Sequence, residues 1–139
     1  MKYTVQLLDE LFNVIRNDAT MATLLKVKDA NNLQEWNTKV RRGIAGADLI
    51  DETQEIYIVM SFIPSVGVTR NFMVNKNTLE FRIIGRSNNR KLVNDLYIHL
   101  NKLIKKQYQE AQIQSEGAFA TGTIGLIGYL FRIRPFTWS

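Results

Sequence analysis

The sequence predicts a single α/β (α+β) domain, with a mainly antiparallel sheet of about four strands, two helices on one face, and long loops. Three observations carry this expectation. Two stretches place apolar residues at helical spacing, several others are β-rich or alternate with period two, and a chain of 139 residues suffices for one hydrophobic core. Hydrophobic residues are 45% and charged residues 22%, an ordinary folded balance.

The first helix follows from Val5, Leu8, Leu11, Phe12 and Ile15, with Thr4 placed to cap its start. "NDAT" interrupts it, and Met21, Leu24 and Leu25 suggest one more short turn or helix. Acids on the polar face, Asp9 and Glu10, favour core packing over a membrane-surface helix.

Residues 27–55 lose the pattern. The segment is polar and Gly-containing, with isolated apolar residues at Leu33, Trp36, Val40, Ile44, Leu49 and Ile50. A connection this long is usually functional or disordered, and Trp36 needs something to pack against. It reads as an arm or long loop that orders against a neighbour, with a cryptic strand pair as the alternative. Trp36, Arg41, Arg42 and Ile44 are its candidate interface residues.

"IYIVMSFI" at 56–63 is a continuous β-rich run ended by Pro64, which cannot donate to a ladder. "VTRNFMV" at 68–74 reads as a second strand, and "NKN" supplies a turn into a third beginning at Thr78. There Leu79, Phe81 and Ile83 face one side while Glu80 and Arg82 face the other. Gly85 is expected to end the strand and ease the turn, with Ser87 as N-cap of the second helix. Leu92, Leu96, Leu100, Leu103 and Ile104 form that helix's stripe, and Lys102, Lys105 and Lys106 suit its C-terminal dipole. A Gly-rich segment at about 109–126 reads as flexible or as an edge-pairing hairpin, with Phe119 and Ile124 as candidate interface residues. The last strand alternates Ile127, Tyr129, Phe131 and Ile133 against Leu130, Arg132 and Arg134.

Catalytic signatures do not emerge, and the expectation is a protein that is not an enzyme and takes no cofactor. Cysteine is absent, which removes disulfides and thiolate metal sites. The single histidine, His99, reads as structural. Asp48, Asp51, Glu52 and Glu55 lack EF-hand spacing and read as a solvated acidic rim. "GRSNNRK" is not a Walker loop, and Gly117, Gly122, Gly125 and Gly128 do not form a dinucleotide fingerprint. No apolar run is long enough for a bilayer or resembles a signal segment. A formal charge of +5 makes an acidic partner plausible, though the cations are scattered.

The order helix, long loop, hairpin, strand, glycine, helix, final strand resembles the tail terminator proteins of long-tailed bacteriophages. "TLEFRIIGRSNNRKLVNDLYIHLNKLI", "LDELFNVIRNDATMATLL" and "YLFRIRPFTW" carry the resemblance and cover about half of the chain. It implies a virion protein made in the host cytoplasm that closes into a ring, commonly of six copies. That ring would cap the tail tube, meet a head-completion or connector protein, and let DNA pass without binding it specifically. A head-completion or adaptor protein of the neck is the alternative within virions. A small basic nucleic-acid-binding module is the alternative outside them.

Overall fold

Period-two alternation between residues 78 and 86 becomes the middle of the molecule. In the computed structural model, which describes residues 4–42, 53–63, 78–108 and 112–134, this stretch is paired along both sides. The elements run α1 (Thr4–Arg16), α2 (Ala19–Leu24), α3 (Leu33–Lys39), β1 (Val40–Arg42), β2 (Ile56–Ile63), β3 (Thr78–Arg86), α4 (Arg90–Gln107), β4 (Gln112–Phe119) and β5 (Leu126–Arg134). Among the described residues five strands form one sheet in the order β1-β2-β3-β5-β4, with β1–β2 parallel and the other pairs antiparallel. This is the mixed α/β fold the sequence predicts, with five strands and four helices among the described residues.

Helices cover one face. Ile58, Met60, Leu79, Phe81, Ile83, Phe131 and Ile133 project from the sheet into a core shared with Leu11, Phe12 and Ile15 of α1. Val93, Leu96, Leu100 and Ile104 of α4 complete it. Phe81 and Phe131 are cross-strand partners whose rings stack with centroids 4.9 Å apart. A smaller buried cluster on the opposite face joins Tyr57, Val59, Ile84 and Leu126.

Gly85 has a different role from the one its sequence context suggests. The strand continues through it to Arg86, and Gly85 pairs with both Ile56 and Ile127. Its requirement is space, because a Cβ there would lie 2.6 Å from Val93 Cγ2. The bare backbone therefore sets how closely α4 approaches the sheet. Nor does Ser87 cap α4. Ser87–Asn89 form a 3-10 turn, and the cap is Asn89, whose Oδ1 accepts from Leu92 N–H at 3.4 Å.

Within 27–55 the expected long loop is in part regular. Asn32 Oδ1 accepts from the N–H groups of Gln34 and Glu35, starting the seven-residue α3. The Glu35 carboxylate turns back to accept from Lys28 and Asp29 N–H, which lowers its pKa and fastens the approach to the helix. Strand β1 follows directly and pairs with β2, so the described part of the segment holds one strand. The Gly-rich segment forms the edge-pairing hairpin: β4 lies on β5, with a register shift between Ile113 and Ser115. The expected strand at 68–74 and its "NKN" turn lie outside the described residues, and so does the 43–52 part of the loop.

Gly85→Ala is expected to cost about 1–3 kcal/mol through overpacking against a stiff β-branched side chain. Adding Val93→Ala should recover part of that loss, as read by chemical denaturation. Phe81→Ala should cost about 3–5 kcal/mol, and a loss below ~0.5 kcal/mol would contradict the face assignment of β3.

Candidate functional site

The sequence-predicted interface residues fall at two opposite ends of the sheet. Trp36, Arg41 and Arg42 belong to α3–β1 at one edge, whereas Phe119 and Ile124 belong to the β4–β5 hairpin at the other. Ile44 lies outside the described residues, as do Asp48, Asp51 and Glu52.

Trp36 is not a surface contact. It is fully buried within the chain, and its Nε1–H donates to Ala30 O at 2.9 Å. The sequence reading assigned it to a neighbour because the α3 helix that turns it inward was not seen. Arg42 also has an internal use. Its Nη1 pairs with Asp9 at 2.5 Å, its Nη2 donates to Asn37 Oδ1 at 3.1 Å, and its guanidinium lies 4.1 Å over the Phe12 ring. These contacts tie β1 to α1. Arg41 donates from Nε to Thr38 O at 3.1 Å and stacks 4.6 Å over the Tyr57 ring.

The hairpin edge is more open. Its turn carries two glycines in the left-handed region, Gly122 (φ 78°) and Gly125 (φ 88°). Thr121 Oγ1 accepts from Thr123 N–H and donates to carbonyl oxygen within the turn. Ser87 N–H donates to Gly125 O at 2.9 Å, which fastens the turn to the β3–α4 junction. At the tip Ile124 is fully exposed, so a well-held turn offers a bare aliphatic side chain to solvent. Phe119 is half-buried and lies across Gly128, its partner on β5, where a Cβ would meet the ring.

Between the hairpin and α4 runs a groove of about 370 Å³, lined by Val93, Tyr97, Phe119, Leu126, Ile127 and Tyr129 with Arg90 and Asn94. Tyr97 donates to Glu116, and its ring meets Tyr129 and Phe131 with centroids 4.7 and 5.1 Å away. Burial raises the Tyr97 pKa and the Glu116 contact raises it further, so this phenol is a fixed hydrogen-bond donor at neutral pH. The groove is shaped for apolar contact and carries no group poised for proton transfer near neutrality.

Sequence reasoning missed a charged cluster on the face away from the helices. Glu80 is fully buried and pairs with Arg82 at 2.5 Å and Arg132 at 2.8 Å. A signal was present, since Glu80, Arg82 and Arg132 share one strand face by alternation, but the partnership of residues 80 and 132 depends on the β3–β5 register.

His99, expected to be structural, packs against the start of α2. Its Nε2 lies 3.0 Å from Asp18 Oδ1, which also accepts from Met21 N–H at 2.9 Å as the α2 N-cap. Glu55 pairs with Lys26 at 2.6 Å. Among the described residues no group of three or more His, Asp or Glu side chains could hold a metal ion. None of the described helices is long and apolar enough to cross a membrane. Compared with known proteins, the sequence matches no family model and no curated protein.

Burial pushes the Asp18 carboxyl pKa up, but the Met21 amide and His99 outweigh it and leave it below 3.8. A depressed carboxyl stabilises the fold above its unfolded pKa, and the stabilisation is lost as pH falls through the folded value. Asp18→Ala should therefore cost about 1 kcal/mol at neutral pH. The gap from wild type in denaturation midpoint should narrow below pH 3.8. A gap that stays constant into strong acid would show that the charge contributes nothing.

Proposed function

We propose that this chain is a structural virion protein of the tail-terminator kind, forming a ring that caps the tail tube and joins it to the head. The observation that carries the reading is the placement of the two sheet edges. β1 and β4 end the sheet on opposite sides, and neither has a further strand partner among the described residues. One subunit thus presents two different edges, the requirement for head-to-tail contacts that close into a ring. Ile124 on the hairpin turn adds an apolar contact that a lone subunit leaves uncovered.

The resemblance of the element order supplies the biological role, and the two edges supply a physical route to it. The neck-adaptor reading uses the same edges and differs in its partner, a connector rather than a tail tube. Against the nucleic-acid module stands the internal use of the cations. Arg42 pairs with Asp9 and Lys26 with Glu55, so at these cations a phosphate backbone would compete with carboxylates already in place.

Light scattering over a concentration series is expected to show a closed species near 96 kDa, six copies of a 16.0 kDa chain, alone or when tail tube is supplied. Negative-stain images should show rings. Ile124→Asp should leave the subunit folded and impair assembly, because Ile124 touches nothing that its own fold needs. Arg42→Glu is a poor probe of assembly, since it sets a carboxylate against Asp9 within the subunit. DNA binding should be no tighter than the non-specific range, roughly 10⁻⁴ to 10⁻⁶ M at physiological salt. A strict monomer at high concentration that ignores tail tube would refute the reading.

A further inference from the structure

The sheet face opposite the described helices carries an ionic cluster. Glu80 on β3 lies directly opposite Ser61 on β2 and Arg132 on β5, and Arg82 is two residues further along the same face. Glu80 Oε1 accepts from Arg82 Nε at 2.5 Å, and Oε2 accepts from Arg132 Nε at 2.8 Å. One carboxylate is thus divided between two arginines, each held through Nε alone among the described residues. The Arg82 guanidinium also lies 5.2 Å from the Phe119 ring centroid, a second constraint on its orientation.

Charge bookkeeping leaves the cluster with one net positive charge. A buried carboxylate needs a partner, and a single arginine would neutralise Glu80. The second leaves room for another anion. Each guanidinium still has its terminal Nη donors to offer, in a fork that matches a carboxylate. Both side chains reach the surface, with Arg82 27% and Arg132 42% exposed although Glu80 between them is 0%. Beside them Ser61 Oγ is buried without any hydrogen-bond partner, a donor left over at the same site.

We propose that Arg82 and Arg132, aligned by Glu80, form a docking site for a carboxylate side chain on an acidic protein partner. A protein is favoured over nucleic acid by what surrounds the pair. Phe119 and Leu130 flank it, and an arginine anchor among aromatic and aliphatic side chains is the anatomy of a protein interface centre. A phosphate backbone calls for a long array of cations, whereas here Glu80 cancels half of the pair's charge. The site is independent of the ring reading and would serve a subunit in any oligomeric state.

Titration calorimetry of the full-length protein with a short oligoglutamate peptide tests it, with duplex DNA as the comparison. Wild type should bind the peptide with an affinity that falls with salt. Arg132→Lys, which keeps the charge beside Glu80 but loses the fork, should weaken binding roughly tenfold. Glu80→Gln makes the face more positive yet removes the alignment, and it too should weaken binding. Tighter peptide binding by Glu80→Gln would overturn the proposal, because a diffuse positive field would then suffice. Unchanged affinity in Arg132→Lys would overturn it as well, as would duplex DNA binding more tightly than the peptide and being lost in that variant. Thermal melting checks that each variant is folded, and the Arg132→Lys comparison decides by itself if Glu80→Gln is not.

Discussion

Everything in this molecule depends on the register of β3. It is paired with β2 from Ile56↔Gly85 to Ile63↔Thr78 and with β5 from Leu79↔Ile133 to Arg86↔Leu126. Alternation then sends Leu79, Phe81 and Ile83 into the helix-covered core, and Glu80 and Arg82 to the other side. A slip of one residue would bury the charges under α4 and expose the Phe81–Phe131 stack, exchanging the faces entirely. Gly85 fixes the other dimension by letting Val93 approach the strand, so register and layer spacing are set within a few residues.

From that strand outward the two faces take different work. The helix side is apolar and stacked, and its polar contacts lie at the margins, where His99 meets Asp18 and Tyr97 meets Glu116. On the other side an ionic cluster centred on the buried Glu80 is bounded by Tyr57, Val59 and Ile84. Packing such a cluster costs desolvation that an apolar core avoids.

Long periodic elements were legible in the sequence and short ones were not. α4 announced itself through Leu96, Leu100 and Ile104, and β3 and β5 through alternation, at Leu79–Ile83 in the first of them. α3 did not, because its seven residues include only Leu33 and Trp36 as apolar markers. Its start was written in Asn32 and Glu35, a cap followed by an acid three residues on, which the polar composition around it obscured. Missing that helix is why Trp36 was read as an interface residue. Adjacent cap candidates explain the Ser87 error, since Ser87, Asn88 and Asn89 all suit the position and only the preceding 3-10 turn selects the last. The Glu80 cluster was hidden for another reason: residues 80 and 132 meet only once strand order is known.

Two sheet edges without a further strand partner among the described residues are the centre of the functional account, and amide hydrogen exchange reads them directly. Outward-facing N–H groups of β1 and β4 should exchange fast in dilute protein and gain protection as concentration rises, while those of β3, already paired on both sides, should not change. Assembly that forms with both edges still exchanging at their dilute rates would contradict the account.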